Sequence, residues 1–243
     1  GGEKAILDVI YPTYEQRFRP KQNDSDITYV TLRPTNFRIL AVDALEQSIQ
    51  FVLDFEQSWN DFRLVWSRDT ETTALKTIKV PESSLWAPDI NPISSLDRRS
   101  IIPSNRRVTE ISYDGTIKKT DPSIVKMSCA MAVLRYPFDV QTCDIKIGPW
   151  IYRRDEVRLI LDDASFSENK TQSTSEWTVK SVRVNITIDR EMNLDVMVVS
   201  VKLRRNPSYY ISTVIIPTFL NCFLCIFGLF MPTDTTGLRF EKV

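Results

Sequence analysis

From Tyr209 to Met231 the sequence YYISTVIIPTFLNCFLCIFGLFM carries no charged residue. About 20 consecutive apolar residues suffice to cross a bilayer, and a backbone in lipid must satisfy its own N–H and C=O groups, so this run is predicted to be one transmembrane α-helix. The competing reading, a buried core helix, fits the length less well, and Tyr209 and Tyr210 sit at one edge as an interfacial aromatic belt would. Pro217 is expected to kink the helix and free a carbonyl, which neighbouring helices or hydroxyls such as Thr213 can compensate. Cys222 and Cys225 read as small buried thiols rather than as a bridge or a metal site. Flanking charge does not orient the span, because Arg204 and Arg205 precede it while Arg239 and Lys242 follow it.

The chain before the span reads as short strands, at 27–33, 37–45, 47–55, 62–66, 107–112, 124–134, 140–147, 156–161, 177–188 and 194–205. Val179, Val182, Val184 and Ile186 stand against intervening polar residues, and Tyr113-Asp114-Gly115-Thr116 is a turn signal between runs. The pattern predicts a mainly β fold, an antiparallel immunoglobulin-like β-sandwich. Residues 3–18 are expected to form a short amphipathic lid helix interrupted near Pro12.

Composition removes several function classes. Lysine plus arginine (31) equals aspartate plus glutamate (31), so no global basic field points to nucleic acid. Histidine is absent, which excludes Ser-His-Asp, Cys-His and zinc-histidine chemistry. Neither GxGxxG nor GxxxxGK[ST] occurs, so no nucleotide cofactor is expected, and nothing supports an enzyme. Sequons at Asn23, Asn169 and Asn185 are candidate glycosylation sites if they face the lumen or the exterior. The Gly1-Gly2 start shows no basic region followed by an apolar run, so the chain reads as a mature form.

The segment CAMAVLRYPFDVQTC, from Cys129 to Cys143, carries a Tyr-Pro-Phe-Asp core. A disulfide between its ends would contribute about 3 kcal/mol in the chain-entropy picture. Pro137 fixes its own φ and biases Tyr136 toward extended backbone, so Phe138 and Asp139 are expected at a stiff bend suited to docking.

Together these residues resemble the Cys-loop family of pentameric ligand-gated ion channels, the nicotinic-receptor-like family. The resemblance rests on Trp59-x-Asp61-x-x-Leu64-x-Trp66, Trp86-Ala-Pro-Asp89, the Cys129 to Cys143 loop with its YPFD core, Ile147-Gly148-Pro149-Trp150, and Arg204-Arg205 followed by the proline-containing helix. It implies an extracellular ligand-binding domain at 1–206, a first transmembrane helix at 207–231 and a linker at 232–243. The chain ends where that family's pore helix would begin. The Glu241-Lys242-Val243 ending resembles cation-selective members.

By resemblance, a small ligand, with an amine as one candidate, binds at subunit interfaces in an aromatic cage that attracts ammonium groups. Trp150 matches the central cage tryptophan. Ile93 falls where a tyrosine is usual, and Asp54 replaces an aromatic residue and could pair directly with an amine. Tyr152 and Met192 complete the near side, while Ile117 and Lys119 fall on the complementary side. The hairpin around Asp189 to Leu194 lacks the adjacent cysteine pair of acetylcholine-binding subunits. Coupling to the pore is implied through Asp43, Phe138, Asp139 and Arg205. Ala44 stands where the usual acidic partner of the arginine would be, so Glu46 or Asp139 is expected to substitute. The other reading of Arg205 is a membrane-edge anchor on lipid phosphates.

The implied function is a subunit of a pentameric, cation-selective, neurotransmitter-gated channel in the plasma membrane. Its partners would be the bilayer and identical or homologous subunits. The alternative is a membrane-tethered ligand-binding or assembly-regulating subunit that does not conduct, and an immunoglobulin-type adhesion module is disfavoured because Cys129 and Cys143 lie too close in sequence.

Overall fold

The computed structural model describes residues 2–68, 74–162, 171–172 and 174–230; Asn169, Met231 and the 232–243 linker lie outside them. Helix α1 covers Gly2–Ile10 and buries Ile6 and Ile10, one helical repeat apart, on the core. Pro12 disfavours helical backbone at the residue before it. Residues 11–18 therefore continue as turns, and the expected second half of the lid helix does not form.

The strands that follow are β1 (Thr28–Asp43), β2 (Ser48–Val65), β3 (Thr77–Pro81), β4 (Ile90–Pro92), β5 (Ser95–Ser100), β6 (Val108–Ser112), β7 (Asp114–Thr120), β8 (Ser123–Ser128), β9 (Val140–Pro149), β10 (Val157–Leu161), β11 (Thr171–Gln172), β12 (Trp177–Asp189) and β13 (Leu194–Arg205). They form two sheets. The larger runs β10-β1-β2-β7-β6-β3, with β8 also on β2, β5 on β8 and β11 on β1; the smaller runs β12-β13-β9-β4. The mainly β sandwich is as the sequence predicts, with one difference: β10 and β11 pair with β1 in parallel. Strand β10 arrives by a crossing from the smaller sheet rather than by a hairpin, so no tight turn imposes an antiparallel direction.

β1 and β2 each join two runs that the sequence separates. Pro34, which breaks the first run, sits at a register shift, where the missing N–H costs no regular ladder bond. Alternation then sets the faces: Phe51, Leu53, Phe55 and Trp59 of β2 point inward against Met197, Val199, Val201 and Leu203 of β13. A register shift between Val179 and Ser181 accounts for the uneven spacing of the β12 valines. The strands missed in sequence are β3, β4, β5, β7 and β11. β5 (SLDRRS) and β7 (DGTIKKT) are largely polar and are specified by their neighbours rather than by their own pattern. At the second residue of β7, Gly115 adopts φ +80°, and a Cβ there would lie 2.5 Å from the Asp61 carbonyl oxygen, so the entry into the strand requires glycine.

β8 stops at Ser128 rather than continuing to 134. The chain leaves the sheet at Cys129, whose N–H donates to Gln47 O (2.7 Å). Cys129 and Cys143 are disulfide-bonded, with Cα atoms 5.4 Å apart. The Gln141 amide replaces a strand partner for the departing chain: Ala132 N–H donates to its Oε1 (2.9 Å) and its Nε2 donates to Ala132 O (3.0 Å).

The C-terminal helix, Ser208–Leu229, has mean hydropathy 2.0 and buries none of its most apolar window within the chain. It is long and apolar enough to cross a membrane. The irregularity expected at Pro217 takes the form of a π-helical turn over Ile211–Ile215 immediately before it. Thr213 Oγ1 donates to Tyr209 O (2.7 Å) and Thr218 Oγ1 to Val214 O (2.6 Å), so hydroxyls do cap carbonyls around the proline. Cys222 and Cys225 are free and exposed, not buried within the chain, because the single helix has no packed neighbour here.

Candidate functional site

An aromatic ledge forms where β9 ends. Gly148 lets β9 approach its neighbours closely: a Cβ there would lie 3.0 Å from Asp195 O and 3.3 Å from Ile93 Cδ1. Asp89, from the Trp-Ala-Pro-Asp segment, then holds the turn through one carboxylate oxygen, Oδ2, which accepts from the N–H of Trp150 (2.9 Å) and of Ile151 (2.7 Å). The Trp150 ring is thereby presented outward, 63% exposed. Behind it, Tyr152 packs edge-on to Trp86 (5.9 Å) and accepts a hydrogen bond from its indole N–H (3.2 Å), while Trp86 packs edge-on to Trp59 (6.1 Å). Tyr152 is thus half-buried, with its hydroxyl committed to Trp86.

The ledge is braced on two sides. Arg154 pairs with Asp195 of β13 (2.6 Å) and donates its N–H to Asn193 O (2.9 Å), tying the β12–β13 hairpin to the segment after Trp150. Met192 stands exposed on that hairpin, next to the Asp189 carboxylate that accepts from the N–H groups of Glu191 and Met192. From the N-terminal side, Tyr14 Oη accepts from Trp86 N–H (2.9 Å), and burial pushes its phenol up to about 12. The guanidinium of Arg63, bound to fully buried Asp61 (2.7 and 2.8 Å), stacks on the Tyr14 ring.

The residues assigned to the complementary side divide by strand parity. Asp54 lies on the outward face of β2, half-buried, with Oδ2 accepting from Asn36 Nδ2 (3.1 Å) and Oδ1 buried without a partner among the described residues. Ile117, however, is fully buried opposite Trp59, and Lys119 turns inward to Glu82 (2.5 Å). Side chains on a strand alternate, so the β7 residues on the outer face are Lys118 and Thr120, opposite Ser58 and Glu56. The assignment of Ile117 and Lys119 to an exposed surface is corrected by one residue.

At the other end of the sandwich, Arg205 is 3% exposed. Its Nε donates to Asp139 Oδ1 (2.8 Å), one terminal N–H group to Asp139 Oδ2 (3.4 Å) and the other to Glu176 Oε1 (2.6 Å). The guanidinium lies over Trp177 (4.2 Å) and Tyr136 (5.0 Å). Tyr210, in the first turn of the C-terminal helix, donates its hydroxyl to the same Glu176 oxygen (3.0 Å) and packs on Tyr136. Burial alone would raise the Asp139 carboxyl, but hydrogen bonds from Arg205 and Gln141 outweigh it and hold the group below its ordinary range. Asp139 is therefore a buried anchor, not an exposed tip. Buried guanidinium and carboxylates also replace the lipid-anchor reading of Arg205.

Glu46 does not reach Arg205; it pairs with Lys126 (2.5 Å). Asp43 accepts from the N–H groups of Leu45 and Glu46 (both 2.9 Å) and shapes the β1–β2 turn. Glu176 is the member of the Arg205 cluster that sequence reasoning missed. The signal lay in the hairpin register: pairing β12 with β13 sets Trp177 against Arg205, leaving Glu176 one residue away. Asn23 and Asn185 are exposed.

The sequence profile of the neurotransmitter-gated ion-channel ligand binding domain matches residues 3–207. Neuronal acetylcholine receptor subunit alpha-6 of Rattus norvegicus is 28% identical over 237 residues, covering 96% of this chain and 48% of the relative. Subunit beta-2 of the same receptor type from Gallus gallus is 28% identical over 96% of this chain and 47% of its own length. The proton-gated ion channel subunit pbo-6 of Caenorhabditis elegans is 28% identical over 84% of this chain and 48% of its length. The chain spans about half the length of these relatives, which are receptor or ion-channel subunits and not enzymes. With the ledge, the disulfide-closed loop and a candidate membrane helix following the sandwich, the chain belongs to the neurotransmitter-gated ion-channel ligand-binding domain family.

Proposed function

We propose that this chain is a subunit of a pentameric, cation-selective ligand-gated channel of the plasma membrane, with residues 1–206 outside the cell, 207–231 crossing the bilayer and 232–243 leading toward the pore. A small ligand binds between adjacent subunits. The observation that carries this reading is the division of the site. Trp150 projects from the end of β9 in the smaller sheet, whereas Asp54 projects from the outer face of the larger one, on the opposite face of that sheet from its inward neighbours Leu53 and Phe55. Opposite faces of one sandwich do not close on each other. A neighbouring copy that sets its Asp54 face against this Trp150 ledge completes a pocket.

In that pocket the Trp150 ring supplies cation-π attraction and the half-buried Asp54 carboxylate supplies an ion pair, so a ligand amine has two complementary contacts. Ile93 packs beside Gly148 and Met192 rims the hairpin, which leaves the ledge with fewer aromatic rings than an ammonium cage uses. Binding drives opening only if the ligand prefers the open arrangement. The relay runs through Arg205, whose partners Asp139 and Glu176 connect the disulfide loop to Tyr210 on the helix. Leu45 (94%), Leu134 (96%) and Phe138 (58%) stand exposed on the β1–β2 turn and the disulfide loop, an apolar tip suited to pressing on the membrane segment.

A binding screen of small amines and carboxylates on the assembled protein tests the site. Hits are expected to bind Trp150→Ala at least tenfold more weakly, since a cation-π contact in a desolvated site contributes up to about 2 kcal/mol. Equal binding to the variant would remove the ledge from the site.

A further inference from the structure

A second groove lies on the outward face of the larger sheet, along β3, β6 and β7, with a volume of about 490 Å³. Lys79, Arg106 and Lys118 line it and take part in no ion pair among the described residues. Its carboxylates are largely answered elsewhere. Glu56 pairs with Arg33 (3.8 Å), and Glu110 is the single acid facing both Lys79 and Lys118, which are its cross-strand neighbours. Arg107, at the back, is spent on Glu82 and Asp121 (3.0 Å each). Three cations therefore meet one unspent carboxylate in a concave site of ligand size. The groove's Glu56 lies two residues from Asp54 on the same face of β2, about 7 Å along the strand.

We infer that this groove is the anion-binding half of the interface pocket, and that the ligand carries a carboxylate held by Lys79, Arg106 and Lys118. The inference rests on the interface reading above and narrows the class of ligand. A choline-type ligand, bearing only a quaternary ammonium, would leave these cations unanswered and would press a positive charge toward them. A small dicarboxylate or amino acid answers them, and an amino acid also brings an amine to the half-buried Asp54 carboxylate. Cations on exposed strands attract by field as well as by contact, so the binding weakens with salt.

The test uses the full chain assembled in lipid nanodiscs, titrated by calorimetry at low ionic strength with L-glutamate, succinate and choline. Glutamate or succinate is expected to bind, and Lys79→Gln/Arg106→Gln/Lys118→Gln to weaken that binding at least tenfold, a loss of one charge-assisted contact. The replaced side chains are exposed, so folding is retained, with an unchanged melting temperature as the check. Binding of glutamate without succinate would show that the amine is read as well. No binding of either acid up to about 10 mM, or equal binding to the triple variant, overturns the inference. If the triple variant loses the acid while Trp150→Ala keeps it, the groove stands and the interface reading falls. If choline alone binds and only Trp150→Ala loses it, the groove falls and the interface reading stands.

Discussion

Arg205→Ala is expected to destabilise the sandwich by about 3–5 kcal/mol, because it leaves Asp139 buried beside Glu176 with no cation to answer either carboxylate. For a domain of this size that lowers the melting temperature of the full chain by roughly 6–20 °C. Arg205→Lys keeps the charge but loses the fork that reaches both acids and the flat stack on Trp177, so it recovers only part of the loss. A double-mutant cycle between Arg205 and Asp139 should give a coupling of about 1–3 kcal/mol, whereas Glu46 and Arg205 should give none, since Glu46 is held by Lys126. The pair also sets an acid limit. Asp139 is held below its unfolded value near 3.9, so its contribution is present above about pH 4 and is lost as pH falls through the depressed folded value. Asp139→Asn should flatten that part of the stability curve. A cycle that couples Glu46 to Arg205, and not Asp139, would contradict this account of the junction.

Removing the disulfide by Cys129→Ser with Cys143→Ser is expected to cost about 3 kcal/mol, from the loop of sequence separation 14 that the unfolded chain regains. The melting temperature should fall by roughly 6–12 °C. The consequence reaches further than the loop. Asp139 is carried by the segment that the disulfide closes, so the Arg205→Ala effect should shrink by at least 0.5 kcal/mol in the disulfide-free background. Strict additivity of the two would mean that the loop closure does not position Asp139.

Much of this architecture is legible in the sequence because it is written in local pattern. The uncharged run from Tyr209, the alternation in β12 and β13, and the cysteine pair each act through a short window. What escaped depends on pairing. β7, with the polar pattern DGTIKKT, is a strand because β2 and β6 flank it. Parity on that strand then decides which residues face out, and a one-residue offset exchanges Ile117 and Lys119 for Lys118 and Thr120. Glu176 escaped for a related reason, since nothing around it in sequence marks it until the hairpin register sets it beside Arg205. Glu46 failed in the opposite way: adjacency to the β1–β2 turn suggested a role, but Lys126, opposite Gln50 on the neighbouring strand, claims its carboxylate.

The central claim is that one binding site is divided between two copies of the chain, and mixing tests it directly. Trp150→Ala and Asp54→Ala chains are assembled separately and then together, and binding of the strongest compound from the screen is measured. Each variant alone should bind at least tenfold more weakly, while the mixture should recover a fraction of full-affinity sites wherever an intact Trp150 of one copy faces an intact Asp54 of the next. A mixture with no more high-affinity binding than its components, when each component alone has lost it, would place both residues in the site of a single chain and contradict the account.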